Sequence, residues 1–258
     1  MGDTTAIAAT RQPFRDARGE GAIVFDAKRW PQAAPQWLDP AGWEPAATPV
    51  AQGGRGAAWF VESGFGRGVL RRYRRGGLAA RVSQDRYLWL GEDRVRSFVE
   101  FRLLASLRSQ GLRVPTPLLA GYWRQGLTYR AAIVVERIEG ATTLAACLDD
   151  PGHAAWPAAG RAIARLHAAG VDHADLNADN VLLDPACEAW LIDFDRGRRR
   201  PVATGWREAN LARLSRSLAK LAGPDRNAWR QGFEHLRQAY EQTFHAASAR
   251  ADALGVGR

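Results

Sequence analysis

The sequence predicts an α+β protein, β-rich over residues 1–138 and mostly helical over 139–258. Three observations carry this expectation. Short runs rich in β-branched and aromatic residues, which suit strands, crowd residues 1–138: Trp59-Phe60-Val61, Val69–Tyr73 and Ala131–Val135. Apolar residues spaced three and four apart dominate the second half, as in amphipathic helices. Within that second half, a polar stretch from His173 to Asp184 stands next to the apolar run Trp190-Leu191-Ile192 and ends at Asp193.

Composition narrows the function classes. A chain of 258 residues with 46% hydrophobic and 24% charged residues has the profile of a folded soluble protein with a substantial core. No run of about 18 apolar residues is present to span a bilayer. The N-terminus has neither the basic start nor the apolar stretch of a secretory signal. Cys147 and Cys187 are too few for a disulfide framework and suit a reducing compartment. These features together lead us to expect a cytosolic protein. Lys and Arg total 36 against 27 Asp and Glu, a net charge of +9 that favours an anionic partner. Nearly all of that positive charge is Arg, since Lys28 and Lys220 are the only lysines.

In chain order, residues 1–50 are loosely patterned. Ile23-Val24-Phe25 reads as a short strand, and Pro31, Pro35, Pro40 and Pro45 interrupt any long helix. Trp30, Trp37 and Trp43 are expected to cover a neighbouring sheet. Gly54, Arg55 and Gly56 then lead into an apolar strand, where glycine lets backbone N–H groups approach phosphate oxygens. Glycine clusters are commonly plain turns, and a strand stands here where a dinucleotide-binding fingerprint would open a helix. The return strand is Val69–Tyr73. Alternation places Val69, Arg71 and Tyr73 on one face and Leu70 and Arg72 on the other.

A helix is expected from Arg94 to Gly111, with Val95, Phe98, Val99, Leu103, Leu104 and Leu107 on its apolar face. Glu100 lies on that face too. A carboxylate is costly to bury alone, so it needs a cationic partner, and Arg71 is the natural one. Val114-Pro115-Thr116-Pro117 opens a strand pair that continues through Tyr122-Trp123 to the buried strand Ala131–Glu136. A helix over 154–169 turns Ile163, Leu166 and His167 inward and stops at Gly170. After the polar stretch come Arg196–Arg200 and two amphipathic helices. The first is marked by Leu211, Leu214, Leu218 and Leu221, the second by Trp229, Phe233, Leu236, Tyr240 and Phe244.

The polar stretch carries the chemistry. Asp175 is followed five residues later by Asn180, and Asp193 comes thirteen residues after that. Asn180 and Asp193 are hard oxygen donors that suit Mg²⁺, an ion that completes its shell with water and phosphate oxygens. Asp175 is placed to accept a hydroxyl proton during phosphoryl transfer. Asp and Asn are also common in turns and caps, so the spacing alone would be weak; its position between a helix and two apolar runs gives it weight. The segment resembles the kinase catalytic loop H-R-D-x-x-x-x-N, with Ala174 in the Arg position, followed by D-F-G with Asp195 in the Gly position. That resemblance implies a bilobal protein-kinase-like fold that binds ATP and Mg²⁺. It makes the glycine segment a nucleotide cover and places a hinge for adenine at Glu136 and Ile138. It also exposes a departure. Kinases use a Lys on the return strand to hold ATP phosphates, and here only Arg71 or Arg72 is available; Arg71 is favoured.

The chain further resembles the 3-deoxy-D-manno-octulosonic acid (Kdo) kinases of lipopolysaccharide biosynthesis. The resemblance rests on G-R-G-A-A-W-F-V at 54–61, V-L-R-R-Y-R-R-G-G-L at 69–78 and D-R-Y-L-W at 85–89. It continues in H-A-D-L-N-A-D-N-V-L-L-D at 173–184, L-I-D-F-D-R-G at 191–197 and P-Q-W-L-D-P-A-G-W at 35–43. It implies ATP-dependent phosphorylation of a Kdo hydroxyl on a lipid A precursor, by a peripheral protein at the cytoplasmic face of the inner membrane. Arginine suits such an acceptor, whose phosphates and sugar carboxylate match guanidinium forks. The clusters at 71–75 and 196–200 flank the candidate site in sequence. An aminoglycoside- or choline-type phosphotransferase would share the loop but need an acidic pocket. A basic nucleic-acid-binding domain would leave the Asp and Asn residues without a task, so no nucleic acid is expected as a partner.

Overall fold

A computed structural model describes residues 7–45, 47–50, 58–63, 66–74 and 85–253. They form two compact units, the first ending at Arg137 and the second beginning at Ile138, with Leu112–Val114 belonging to the second. The mixture of an antiparallel sheet and helices is the α+β class that the sequence predicts.

The first unit is built on β1 (Ala9–Asp16), β2 (Gly19–Asp26), β3 (Thr48–Pro49), β4 (Ala58–Ser63), β5 (Gly66–Arg72) and β6 (Tyr87–Leu88). Helix α1 (Arg96–Ser109) follows, then β7 (Pro117–Gln125) and β8 (Thr128–Glu136). The sheet order is β1-β2-β7-β8-β5-β4-β3, with β6 paired to β8. Every pairing is antiparallel. The expected short strand at Ile23–Phe25 lies in one arm of a hairpin with eight residues in each arm, whose other arm, β1, had not been expected. The reason is physical. β1 is an edge strand whose half-buried positions are Gln12, Phe14 and Asp16, so only one large apolar side chain marks its inner face.

One face of the sheet lies under the tryptophan cover that the sequence predicts. Trp30, Leu38 and Trp43 pack with Ile23, Leu70, Leu119 and Val134. Trp30 meets Trp37 edge-on at 4.7 Å and Trp43 at 6.0 Å, a favourable arrangement for aromatic rings. Helix α1 packs against β7 and β8. It begins at Arg96, later than expected, because Val95 is its extended N-cap. Val99, expected inward, is 39% exposed. The buried face takes in the expected Phe98, Leu103, Leu104 and Leu107 together with Ser97, Glu100 and Phe101, and at 3.6 residues per turn position 99 falls on the side away from it.

The second unit contains β9 (Thr142–Thr143), α2 (Ala155–Ala168), β10 (Val171–Asp172), β11 (Val181–Leu183) and β12 (Ala189–Leu191). β13 (Arg198–Arg199), α3 (Thr204–Ala222) and α4 (Ala228–Ala253) complete it. Strands β12-β11-β9 form one small sheet and β10-β13 another. Helices α2 and α4 pack closely because each places a glycine at the contact. A Cβ on Gly160 would lie 2.2 Å from the Leu236 carbonyl oxygen, and one on Gly232 would lie 2.2 Å from the Trp156 ring. His167 is buried between these helices and shares a 2.9 Å hydrogen bond with the Tyr240 hydroxyl. Leu221, expected inward, is 40% exposed, since it falls in the last turn of α3.

Candidate active site

The polar loop of the second unit is held from behind by Asp172, at the end of β10. Asp172 is buried, and its carboxylate accepts from Asn210 Nδ2 at 2.9 Å, Arg200 at 2.9 Å, Arg198 at 3.4 Å and the Ala174 N–H at 3.0 Å. Burial alone would raise its pKa. Asn210, Arg200, the backbone and Arg198 together hold it below the usual carboxylate range.

His173 is also fully buried. Its N–H donates to Asn210 Oδ1 at 3.1 Å, and its ring Nε2 lies 2.9 Å from the Ile192 carbonyl oxygen. A carbonyl can only accept, so Nε2 carries the proton. Burial pushes the imidazole pKa below its ordinary value and keeps the ring neutral. The ring lies 4.7 Å from that of Phe194. His173 therefore ties the polar loop to the Asp193 segment through one hydrogen bond and one aromatic contact.

Beyond His173 the chain turns sharply. Ala174 has φ 56°, in the left-handed region, and the Asp175 N–H reaches back to the His173 carbonyl at 2.7 Å. The turn leaves the Asp175 side chain 38% exposed, with Arg213 Nη2 3.3 Å from its Oδ1. Arg213 Nε also donates to the Ala174 carbonyl at 3.1 Å, so one guanidinium holds both the turn and the carboxylate. The Asp175 carbonyl accepts from Asn177 at 3.1 Å and from Asn180 Nδ2 at 3.0 Å. An exposed carboxylate on a fixed loop, beside a cation, is suited to accepting a proton from a hydroxyl.

Asn180 and Asp193 stand at the end of one hairpin. β11 and β12 pair Val181 with Leu191, and the Ile192 N–H continues the ladder to the Asn180 carbonyl at 3.0 Å. Asn180 is buried, and its amide nitrogen is committed to Asp175, which leaves Oδ1 as its acceptor. Asp193 has φ 64°, a left-handed conformation that non-glycine residues rarely adopt and that often marks functional sites. Among the described residues no group of three or more His, Cys, Asp or Glu gathers as a metal cage. A two-residue oxygen pair instead fits Mg²⁺, which keeps several positions for water and phosphate.

In the first unit, Arg71 Nη2 donates to Glu100 Oε1 at 2.6 Å, and the Tyr73 hydroxyl donates to Glu100 Oε2. Glu100 is 2% exposed, so α1 delivers a buried carboxylate to two partners on and just beyond β5. Arg72 projects from the other face, as strand alternation requires. There it pairs with Asp39 at 2.6 Å and lies over the Trp59 ring at 5.7 Å. Gly54, Arg55 and Gly56 lie outside the described residues. Glu136 ends β8 with its carboxylate 3.0 Å from Arg29. The N–H groups of Glu136 and Arg137 are bonded to the carbonyls of Thr116 and Arg67, so neither is available to a nucleotide base. Ile138 opens the second unit.

Of the arginines at 196–200 that flank the candidate site in sequence, Arg198 and Arg200 pair with buried Asp172, and Arg199 bonds the Ala169 carbonyl at 3.1 Å. Sequence reading missed Asp172, Asn210 and Arg213. Asp172 could have been noticed as a carboxylate ending an apolar strand. Asn210 could have been noticed as a polar residue on the buried face of α3, in register with Trp206, Leu214 and Leu218, whereas Arg213 lies off that face and nothing in the pattern marks it.

A family model described as the Lipopolysaccharide kinase (Kdo/WaaP) family matches residues 41–240. A 3-deoxy-D-manno-octulosonic acid kinase of Xylella fastidiosa (strain M12) is 54% identical over 231 residues, which cover 89% of this chain and 93% of that protein. The protein of the same name from Xanthomonas campestris pv. campestris (strain B100) is also 54% identical over 231 residues, with the same coverage. Another from Stenotrophomonas maltophilia (strain R551-3) is 53% identical over 236 residues, covering 90% of this chain and 94% of that protein.

Proposed function

The chain belongs to the lipopolysaccharide kinase (Kdo/WaaP) family, a family of protein-kinase-like fold, and on that premise we propose that it phosphorylates a Kdo hydroxyl on a lipid A precursor with ATP. The observation that carries this reading is the exposed Asp175 carboxylate, fixed by Arg213 and joined through its own carbonyl to Asn180.

In this reading Asp175 accepts the proton of the acceptor hydroxyl as that oxygen bonds to the γ-phosphorus. The bond from the γ-phosphorus to its bridging oxygen breaks, and ADP leaves with the electron pair. The Arg71 fork, oriented by Glu100, would hold ATP phosphate oxygens in place of the usual Lys. Asn180 Oδ1 and the Asp193 carboxylate would hold Mg²⁺, which neutralises phosphate charge when bound. His173, neutral and buried, fixes the spacing of the two polar segments and takes no proton itself.

The acceptor is a lipid, so the proposed location is the cytoplasmic face of the inner membrane, with the protein bound peripherally. A net charge of +9 supports attraction to an anionic surface. Among the described residues no helix is long and apolar enough to cross a membrane. The test is ATP turnover by purified protein with a Kdo-bearing lipid A precursor, with an aminoglycoside and with no acceptor. Turnover should require the Kdo-bearing lipid; stimulation by the aminoglycoside alone would replace this reading with an antibiotic phosphotransferase.

A further inference from the structure

Among the described residues, the three most exposed large apolar side chains are Leu127 at 77%, Leu90 at 58% and Leu88 at 57%. They are neighbours. Leu88 pairs with Thr128 across β6 and β8, and the Trp89 N–H donates to the Leu127 carbonyl at 2.9 Å. Leu88 and Leu90 are two residues apart on an extended segment and so share its outer side. Leu127 sits at the β7–β8 turn, next to Gly126, whose φ of 57° makes the turn possible.

The residues between the leucines form a rigid base. Tyr87 packs on Tyr129 at 5.6 Å, and Trp89 packs on Tyr122 at 5.1 Å and Tyr129 at 6.0 Å. Tyr122 in turn meets Phe98 of α1 at 5.4 Å. The aromatic side chains are thus anchored in the unit's core while the three leucines face water. Guanidiniums flank the ridge. Arg124 lies over the Trp89 ring at 4.8 Å, and Arg86 donates to the side chains of Gln125 and Thr128. Arg130 pairs with Asp85 at 2.7 Å, and Glu20 approaches Arg124 at 3.7 Å.

We propose that Leu88, Leu90 and Leu127 form a membrane-insertion ridge that seats the protein on an anionic bilayer. The layering matches a bilayer surface: leucine tips at acyl-chain depth, the half-buried Trp89 indole at the boundary and guanidiniums at the phosphates, over a base of buried tyrosines. Separate exposed apolar residues are ordinary on a protein surface; three contiguous ones on a rigid aromatic base leave an apolar face for a partner. The positive flank and the chain's net charge select a bilayer rather than a neutral apolar groove. This inference deepens the peripheral-membrane reading above and rests on the acceptor being lipid-linked.

The test is co-sedimentation of the full chain with vesicles of phosphatidylcholine plus phosphatidylglycerol. The triple variant Leu88→Ser, Leu90→Ser, Leu127→Ser should bind about tenfold more weakly or worse, and Leu127→Ser alone about threefold more weakly. Both should keep the parent's thermal midpoint and its turnover on a short-chain, water-soluble Kdo acceptor. A parent that does not bind these vesicles, or a triple variant that binds like the parent, overturns the proposal. So does a parent that sediments as a dimer and becomes monomeric in the triple variant, because the ridge would then join two copies of the chain. Failure of the parent to phosphorylate the soluble acceptor would defeat the functional reading instead, leaving the vesicle comparison to decide the ridge separately.

Discussion

Arg71 on β5 and Glu100 on α1 form an ion pair at 2.6 Å, and the Tyr73 hydroxyl takes the second oxygen of the same carboxylate. A single buried acid thereby fixes the plane of the guanidinium. The arrangement uses what Arg offers over Lys, a rigid fork that needs a partner on one side to present donors on the other.

Replacing Arg71 with Ala should raise the Michaelis constant for ATP and lower turnover, whereas Arg72→Ala should affect both only mildly. Arg71→Ala should also cost about 3 kcal/mol in urea unfolding, because it removes a cation paired with the buried Glu100 carboxylate. Arg71→Lys should recover part of the ATP affinity, since a point charge lacks the fork. A silent Arg71 and a sensitive Arg72 would place the phosphate contact on the other face of β5.

The sequence made the Arg71–Glu100 pair legible for a simple reason. A strand alternates strictly, and a carboxylate on an apolar helix face demands a cation. The tryptophan cover was legible too, because large aromatic side chains must be buried somewhere. The β1 strand was not, since an edge strand with Gln12, Phe14 and Asp16 on its inner side has little apolar signal. Helix phase was legible only to within one position, as Val99 and Leu221 show. Within the candidate site, the loop spacing pointed to Asp175, Asn180 and Asp193. The residues that hold the loop did not show, because Asn210 and Arg213 reach it from 30 or more positions away in sequence, and the helical period that buries Asn210 does not say which segment it bonds.

Arg213 is expected to position Asp175. Arg213→Ala should reduce kcat by about tenfold with ATP affinity unchanged, a loss typical of a misplaced catalytic group. Lysine at 213 should recover only part of kcat, because it cannot hold the Ala174 carbonyl and the Asp175 carboxylate together. A fall in ATP affinity as large as the fall in kcat would contradict a positioning role.

For Asn180 and Asp193, the expected signature is in metal-dependent nucleotide binding. Calorimetry of ATP binding with and without Mg²⁺ should show the metal-dependent gain in affinity lost in Asp193→Ala and reduced in Asn180→Ala. Turnover should follow the same order, with Asn180→Ala needing more Mg²⁺. If both variants titrate with Mg²⁺ like the parent, the metal is held elsewhere.

His167 gives a pH prediction. Burial pushes its pKa down from 6.5 to about 3. The unfolded chain therefore takes up a proton that the folded chain refuses as pH falls below about 6.5, and stability is lost progressively towards pH 3. The loss is on the order of 5 kcal/mol at most. Urea unfolding between these limits should show a shallower decline in His167→Gln than in the parent. Identical slopes would mean that the buried imidazole is protonated in the folded state.

The most direct test of the account is single-turnover phosphoryl transfer from ATP to a Kdo-bearing lipid A precursor, comparing the parent with Asp175→Ala. The parent should yield phosphorylated Kdo. Asp175→Ala should bind ATP with parental affinity and unfold at the parental temperature while transferring phosphate on the order of 10²-fold more slowly or worse. Transfer at the parent's rate by Asp175→Ala would contradict the account, because the carboxylate on which the mechanism rests would then have no part in it.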